Sequence, residues 1–330
     1  MSVHCHIHAL GAYAPEHILT NDALAAMVDT SDEWITSRTG IKRRHRLADG
    51  ELVSDAGAHA AREALAVAGL APSEVTHLLF GTCTPDRLCP STACITAAKL
   101  GITGAVVTYD FNAACSGFLY GLVQCRALLA AEPDARILLV CGEGLSRRMN
   151  WRDRSTCVLF GDGAGAVLIS SRPQGAIARL DDVICSMDGK CMELITIGGG
   201  SARSYAPGEQ VHDDFFITMQ GREVFKHAVR NMAQICKDIL ARNALSADDV
   251  QLLVPHQANM RIIEAVSSRL DFPVQRVFTN VADYGNTSSA SVPLALYEAR
   301  KQGRMPSGTL VLMTTFGGGL TWAAGLLRVA

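Results

Sequence analysis

TYDFNAACSGFLYGL, running from Thr108 to Leu122, sets the reading of the whole chain. Ala105 to Tyr109 form a short apolar run that predicts a buried strand. Phe118 to Leu122, continuing to Leu129, carry apolar residues at helical spacing. Between the two lie only small residues, Asn112 to Gly117, and one cysteine, Cys115. The cysteine stands at a helix start, in a run too small to cover it. The positive end of a helix favours thiolate over thiol. Its unpaired N–H groups can face a developing oxyanion. Cys115 is therefore a candidate nucleophile, the other reading being a buried core cysteine.

The chain around it has 330 residues, enough for two domains or two similar halves. Hydrophobic residues at 48% and charged residues at 19% describe a globular protein with ample core. A net charge of −2 argues against a nucleic-acid partner. The 11 cysteines are odd in number and show no zinc-type CxxC pair, which fits free thiols in a reducing cytoplasm. Met1 to Leu10 lacks the pattern of a signal peptide. No apolar run is read as long enough to span a membrane.

Val3 to His8 alternates in polarity and predicts a first strand. Its His4, His6 and His8 share one face without acidic support, so no metal site is expected. Helices are expected after Thr20, from Thr30 to Gly40, from Ser54 to Ala68 and from Ser91 to Leu100. Strands are expected at Thr76 to Phe80 and Ile137 to Cys141. Gly161 to Gly165 reads as the turn of a hairpin between Cys157–Phe160 and Ala166–Ile169, because a strand follows it rather than the helix that a dinucleotide fingerprint requires. Residues 172–214 read as an irregular link or lid.

The pattern then restarts. Gly69 to Phe80 and Ala244 to Val254 share a leucine, a capping turn, an acidic residue, a valine and an apolar strand in the same order. Thr309 to Gly319 echoes Asp134 to Gly144. Two βαβ-rich halves are expected, 1–171 and 215–330. In the second, His256 in VPHQAN, Asn286 in GNTSSAS and the glycines of Phe316-Gly-Gly-Gly-Leu320 each follow a predicted strand. Strand ends are where open α/β sheets place their ligands. Taken singly, His256 could cap a helix, and Asn286 and the glycines could be ordinary turn residues.

Together DFNAACSGFLYGL, VPHQANMRI, GNTSSASVP and FGGGLTWAAGLL resemble the motifs of the β-ketoacyl-acyl-carrier-protein synthase III family. TSDEWITSRTGI and FGDGAGAVL resemble it too, and the likeness extends over nearly the whole chain. The resemblance implies a thiolase fold, two duplicated halves in five αβαβα layers, and a cytoplasmic homodimer. It implies a decarboxylating condensation of an acyl-CoA primer with malonyl-acyl-carrier protein, using no cofactor and no metal. Cys115 would carry the acyl group, and His256 and Asn286 would stabilise the enolate. The Cys115 and Gly318 N–H groups would form the oxyanion hole. Trp34 and Arg154 would hold the adenine of CoA, Arg38 its phosphates, and Gly221 and Phe225 the pantetheine. Lys226, Arg261 and Arg269 would face the carrier protein. Cys89 stands where members using short straight primers have a phenylalanine that closes the partner subunit's acyl pocket, so a deeper pocket is expected here. Relatives that make a quinolone, an alkene precursor or a polyketide starter keep the same Cys, His and Asn. A thiolase proper would carry a second cysteine in the glycine turn, and Phe316 to Leu320 has none.

Overall fold

The computed structural model describes residues 4–199 and 215–330. Nine strands make one mixed sheet: β1 Cys5–Tyr13, β2 His77–Gly81, β3 Val107–Phe111, β4 Arg136–Glu143, β5 Gly163–Ser170, β6 Ala178–Met187, β7 Leu252–Pro255, β8 Leu310–Gly317 and β9 Thr321–Val329. Their order is β7-β8-β9-β6-β1-β5-β4-β2-β3. β3, β2 and β4 run parallel, as do β7 and β8, and every other neighbouring pair is antiparallel. The sheet repeats about the β1–β6 contact, with β2-β4-β5-β1 on one side and β7-β8-β9-β6 on the other. β3 has its counterpart in a single parallel bridge, Leu253 to Val277.

Among the described residues seven helices of eight or more residues surround this sheet: α1 Asp32–Thr39, α2 Val53–Ala68, α3 Thr92–Leu100, α4 Gly117–Ala131, α5 Gly221–Arg242, α6 Met260–Arg269 and α7 Ser291–Lys301. Ser31 and Ser91 cap α1 and α3, accepting from Trp34 N at 3.1 Å and Cys94 N at 3.2 Å. Strand side chains alternate between layers. Leu78, Phe80, Leu138 and Val140 pack on Val53, Ala60 and Ala64 of α2. Leu79, Ile137 and Leu139 turn to Phe118 and Leu122 of α4 and Leu296 of α7. In the second half Leu253 and Leu312 face Met232 and Ile239 of α5, while Val254 and Met313 turn to the central helices. Five layers result, with α4 and α7 between the two halves of the sheet. Burial on both faces is why these strands read as unbroken apolar runs. Each buried Leu, Ile or Phe is worth roughly 1.5–3 kcal/mol.

Four expectations are corrected. Ala114–Ala131 is, by length and composition alone, long and apolar enough to cross a membrane. It packs against sheet on both sides, so its apolar residues are not confined to one stripe. Residues 172–214 are not all irregular, since they contain β6, the counterpart of β1. Asp181 and Asp182 mask that strand in the sequence. Asp181 is held by Arg179 and Arg328, and Asp182 by Arg126 and Arg242. Residues 200–214 of that expected link lie outside the described residues.

The hairpin expected across Gly161–Gly165 does not form either. Only β5 is a strand, and Cys157 to Phe160 coil into a turn that bridges to Asn286. Gly161 is needed for close approach: its N–H donates to Asn286 O at 3.0 Å, and a side chain there would strike the Tyr284 carbonyl. Finally, the first strand of the opening stretch begins two residues later than expected, at Val107. It is an open edge rather than a buried strand, with Val107 47% exposed.

Candidate active site

The parallel strands β2, β3, β4, β7 and β8 deliver their carboxyl ends to one rim. Cys115 follows β3 in a single 3-10 turn, Ala114–Ser116, that runs into α4. Ala114 is held at φ +46°, a left-handed conformation that costs a non-glycine residue energy. The Asn112 side chain fixes the turn by accepting from Ala114 N at 2.9 Å. The end of β8 presses on the nucleophile. A Cβ on Gly317 would come within 2.6 Å of Cys115 N, so only glycine fits there. Gly318 lies beside Ala114.

His256 comes just after β7, with its N–H donating to Thr314 O at 2.7 Å. Its Nδ1 is engaged with Ser291 Oγ at 2.6 Å, which leaves Nε2 as the nitrogen for the cavity. Burial pulls the imidazole down to about 3, so it is neutral at physiological pH. Asn286 enters a matching turn, Ser288–Ala290, in which Ser288 is held at φ +49° ahead of α7. Asn286 Oδ1 accepts from Ser288 N at 2.9 Å, so the side chain presents its amide N–H groups to the cavity. A neutral imidazole and an amide thus face the space beside one thiol.

The thiol itself departs from expectation. Burial, with the nearby Glu143 carboxylate, pushes Cys115 up to about 12, against the pull of the Ser288 hydroxyl. The helix start does not by itself yield a resting thiolate, because the site holds a buried carboxylate and no paired cation.

Cys115, His256 and Asn286 line one cavity of about 340 Å³ with Trp34, Phe225 and Phe316. Arg38 and Gly221 line it as well. Outside it is a groove of about 660 Å³ lined by Arg38, Arg222, Lys226 and Arg261, with no acidic residue among the described residues that line it. Arg154 lies over the Trp34 ring, its guanidinium carbon 5.2 Å from the centroid, and donates to Asp29 O at 2.9 Å. Arg38 lies 5.3 Å from the same centroid. Arg269 is not brought to this mouth. It is exposed at the far end of α6, about 12 Å along the axis from Arg261. Cys89 is exposed on the loop after β2 and does not line the cavity of its own chain.

Sequence reasoning missed Ser288, Ser289, Ser291, Gln257 and Glu143. The hydroxyl run after Asn286 was the available signal. Gln257 is buried and ties the His256 loop to Asn280 N at 2.9 Å and Pro255 O at 2.7 Å.

Residues 109–189 match the family described as 3-oxoacyl-[acyl-carrier-protein (ACP)] synthase III, and residues 240–329 match its C-terminal part. The β-ketoacyl-[acyl-carrier-protein] synthase III of Nitratidesulfovibrio vulgaris (strain DSM 19637 / Miyazaki F) is 58% identical over 324 residues, covering 98% of this chain and 97% of its own. That of Oleidesulfovibrio alaskensis is 54% identical over 330 residues, covering 99% and 100%. The crystal structure of 3-oxoacyl-[acyl-carrier-protein] synthase III from Aquifex aeolicus VF5 shares the fold at TM-score 0.89 and 42% identity, covering 98% of this chain and 99% of that one. With a cysteine, a histidine and an asparagine gathered at the strand ends of a duplicated five-layer fold, this chain belongs to the β-ketoacyl-acyl-carrier-protein synthase III family, condensing enzymes of the acyltransferase type.

Proposed function

We propose that the chain joins an acyl-CoA primer to malonyl-acyl-carrier protein by decarboxylative Claisen condensation, starting a fatty acid. The supporting observation is one thiol and two neutral donors at the base of a cavity whose outer groove is cationic. Cys115 sulfur attacks the primer thioester, the C–S bond to CoA breaks, and CoA leaves with a proton. Malonyl thioester then loses CO2. His256 Nε2–H and the Asn286 amide donate to its carbonyl oxygen as the enolate forms. The enolate carbon attacks acyl-Cys115, and the Cys115 and Gly318 N–H groups hold the oxyanion. Collapse expels the Cys115 sulfur and releases the ketoacyl chain on its carrier. Decarboxylation supplies the carbanion, so no base has to remove a proton from carbon. No cofactor enters this scheme.

The cations Lys226 and Arg261 suit an acidic carrier protein, with Arg269 as a more distant contact. Gly221 and Phe225 would flank the pantetheine, and Arg38 the phosphates. Adenine between Trp34 and Arg154 needs two contacts of about 3.5 Å each. That exceeds the 5.2 Å separation, so Arg154 must swing off Asp29 as the nucleotide enters. Trp34→Ala should raise KM for acyl-CoA about tenfold with kcat nearly unchanged, because stacking contributes equally to ground and transition states. A fall in kcat at constant KM would remove Trp34 from the nucleotide site.

The open edge of β3 and the exposed Leu88 beside Cys89 suit a homodimer in which each loop tip reaches the partner's acyl pocket. We place the enzyme in the cytoplasm and not in a membrane. The test of function is a product assay by mass with malonyl-acyl-carrier protein and acetyl-, butyryl-, isovaleryl- and octanoyl-CoA. Ketoacyl products are expected, with kcat/KM higher for longer or branched primers than for acetyl-CoA. Cys89→Phe should return preference to acetyl by roughly tenfold or more, since pocket methylenes discriminate by about 1–3 kcal/mol. Absence of any ketoacyl product would defeat the function. A strong acetyl preference unchanged by the added ring would defeat the role of Cys89.

A further inference from the structure

Glu143 ends β4 and is fully buried, at 0% exposure. Its Oε2 accepts from the hydroxyls of Thr82 at 3.1 Å and Thr84 at 2.6 Å and from the Cys83 thiol at 3.3 Å. The Cys83 N–H is shared between both oxygens, at 3.1 and 3.2 Å. Oε1 accepts from the Ser289 hydroxyl at 2.8 Å.

The protons can be counted. Thr82 and Thr84 oxygens accept from Thr84 N at 3.0 Å and Gly144 N at 2.9 Å, so their own protons are free for the carboxylate. Ser289 has one proton and a second acceptor, Gly81 O, at 3.1 Å. The shorter contact, to Glu143, takes it. Burial, the largest effect, raises the carboxyl above its usual range, and the Thr84, Ser289 and Cys83 donors oppose it. Five donors converge and none needs a proton from the acid, a surrounding built to hold the carboxylate form. Among the described residues no Lys, Arg or His forms an ion pair with it.

These bonds join three strand-end segments: the loop after β2, the end of β4, and the Ser288–Ala290 turn. That turn abuts the nucleophile. The Ser288 hydroxyl makes no hydrogen bond of ordinary length, yet it faces the thiols of Cys83 and Cys115. The titratable groups facing Glu143 are the thiols of Cys83 on the loop, Cys141 on β4 and Cys115 before α4, while Arg148 faces Cys83 in turn. The α7 side contributes hydroxyls.

We propose that Glu143 is a positioning residue for the nucleophile: as a buried carboxylate it clasps Ser289 and the 82–84 loop around Cys115 and sets a negative charge beside the resting thiol. This rests on Cys115 being the nucleophile, and the experiment separates the two.

Alkylation of Cys115 by iodoacetamide, read by mass on its peptide, is followed from about pH 6 to 10 in the parent and in Glu143→Gln. The neutral amide removes the repulsion. The rate-against-pH profile should shift down by about one unit, read as roughly tenfold faster alkylation at each pH in this range. The amide cannot accept all five donors, so kcat should fall about tenfold or more while KM for acyl-CoA holds. An unmoved profile, with only a lowered Tm, would reduce Glu143 to a structural residue and overturn the proposal. If Glu143→Gln does not fold, Ser289→Ala tests the clasp: kcat should fall severalfold at unchanged KM, and a full kcat would overturn it. An acyl adduct on Cys115 in the parent checks the nucleophile independently. Its absence refutes that assignment, whereas its presence with an unmoved alkylation profile refutes only the role of Glu143.

Discussion

Cys115→Ala is expected to abolish condensation, by at least about 10³-fold, while leaving the fold and malonyl decarboxylation in place. The substitution removes one sulfur from a turn whose geometry is fixed elsewhere, by Asn112 and by the contact with Gly317. His256 and Asn286 keep their partners, so the enolate can still form with no acyl group to attack. In the parent, exposure to acyl-CoA should leave a single adduct on Cys115 among 11 free cysteines. Five of the other ten are buried, and the exposed Cys89, Cys94 and Cys185 do not line the cavity. An adduct mainly on Cys89 or Cys94, or condensation surviving in the alanine variant, would overturn the assignment.

The second large effect is selective. His256→Ala and Asn286→Ala should each slow malonyl decarboxylation on the order of 10²-fold or more, and self-acylation far less. Asn286 Oδ1 is occupied by Ser288 N, so the amide offers the cavity donors, and the role given to His256 requires the Ser291 hydroxyl to donate to Nδ1, which leaves the proton on Nε2. Equal losses in both half-reactions would refute this division. The pH dependence follows from burial. His256 is pulled from 6.5 to about 3, so it stays neutral and its donor persists through the mildly acid range. The unfolded chain binds a proton below 6.5 that the folded protein refuses. The group therefore costs stability as pH falls from there towards about 3. Acid inactivation should track unfolding rather than a titration of decarboxylation, which parallel melting and rate profiles would reveal.

Much of this was legible in the chain. The continuous apolar strands, the serine caps and the echo between Gly69–Phe80 and Ala244–Val254 dictate layers and repetition by local rules. The grouping of Cys115, His256 and Asn286 follows from their shared position after strands. What escaped was whatever depends on partners distant in sequence. β6 hides behind two aspartates, and three of their four arginines, Arg126, Arg242 and Arg328, come from other elements. Gly161 looks like a hairpin turn until the Tyr284 carbonyl is set against it. The weak acidity of Cys115 depends on its burial and then on Glu143, 28 positions on, which no local pattern marks as its neighbour.

The two strained turns carry a consequence of their own. Ala114–Cys115–Ser116 before α4 and Ser288–Ser289–Ala290 before α7 occupy matching seats in the two repeats, so Cys115 and Ser289 are counterparts. A doubled fold offers two seats for an attacking atom, and one cavity can use only one. The unused seat holds a hydroxyl whose proton goes to a buried acid. Symmetry that would be redundant as chemistry has become bracing for the half that reacts.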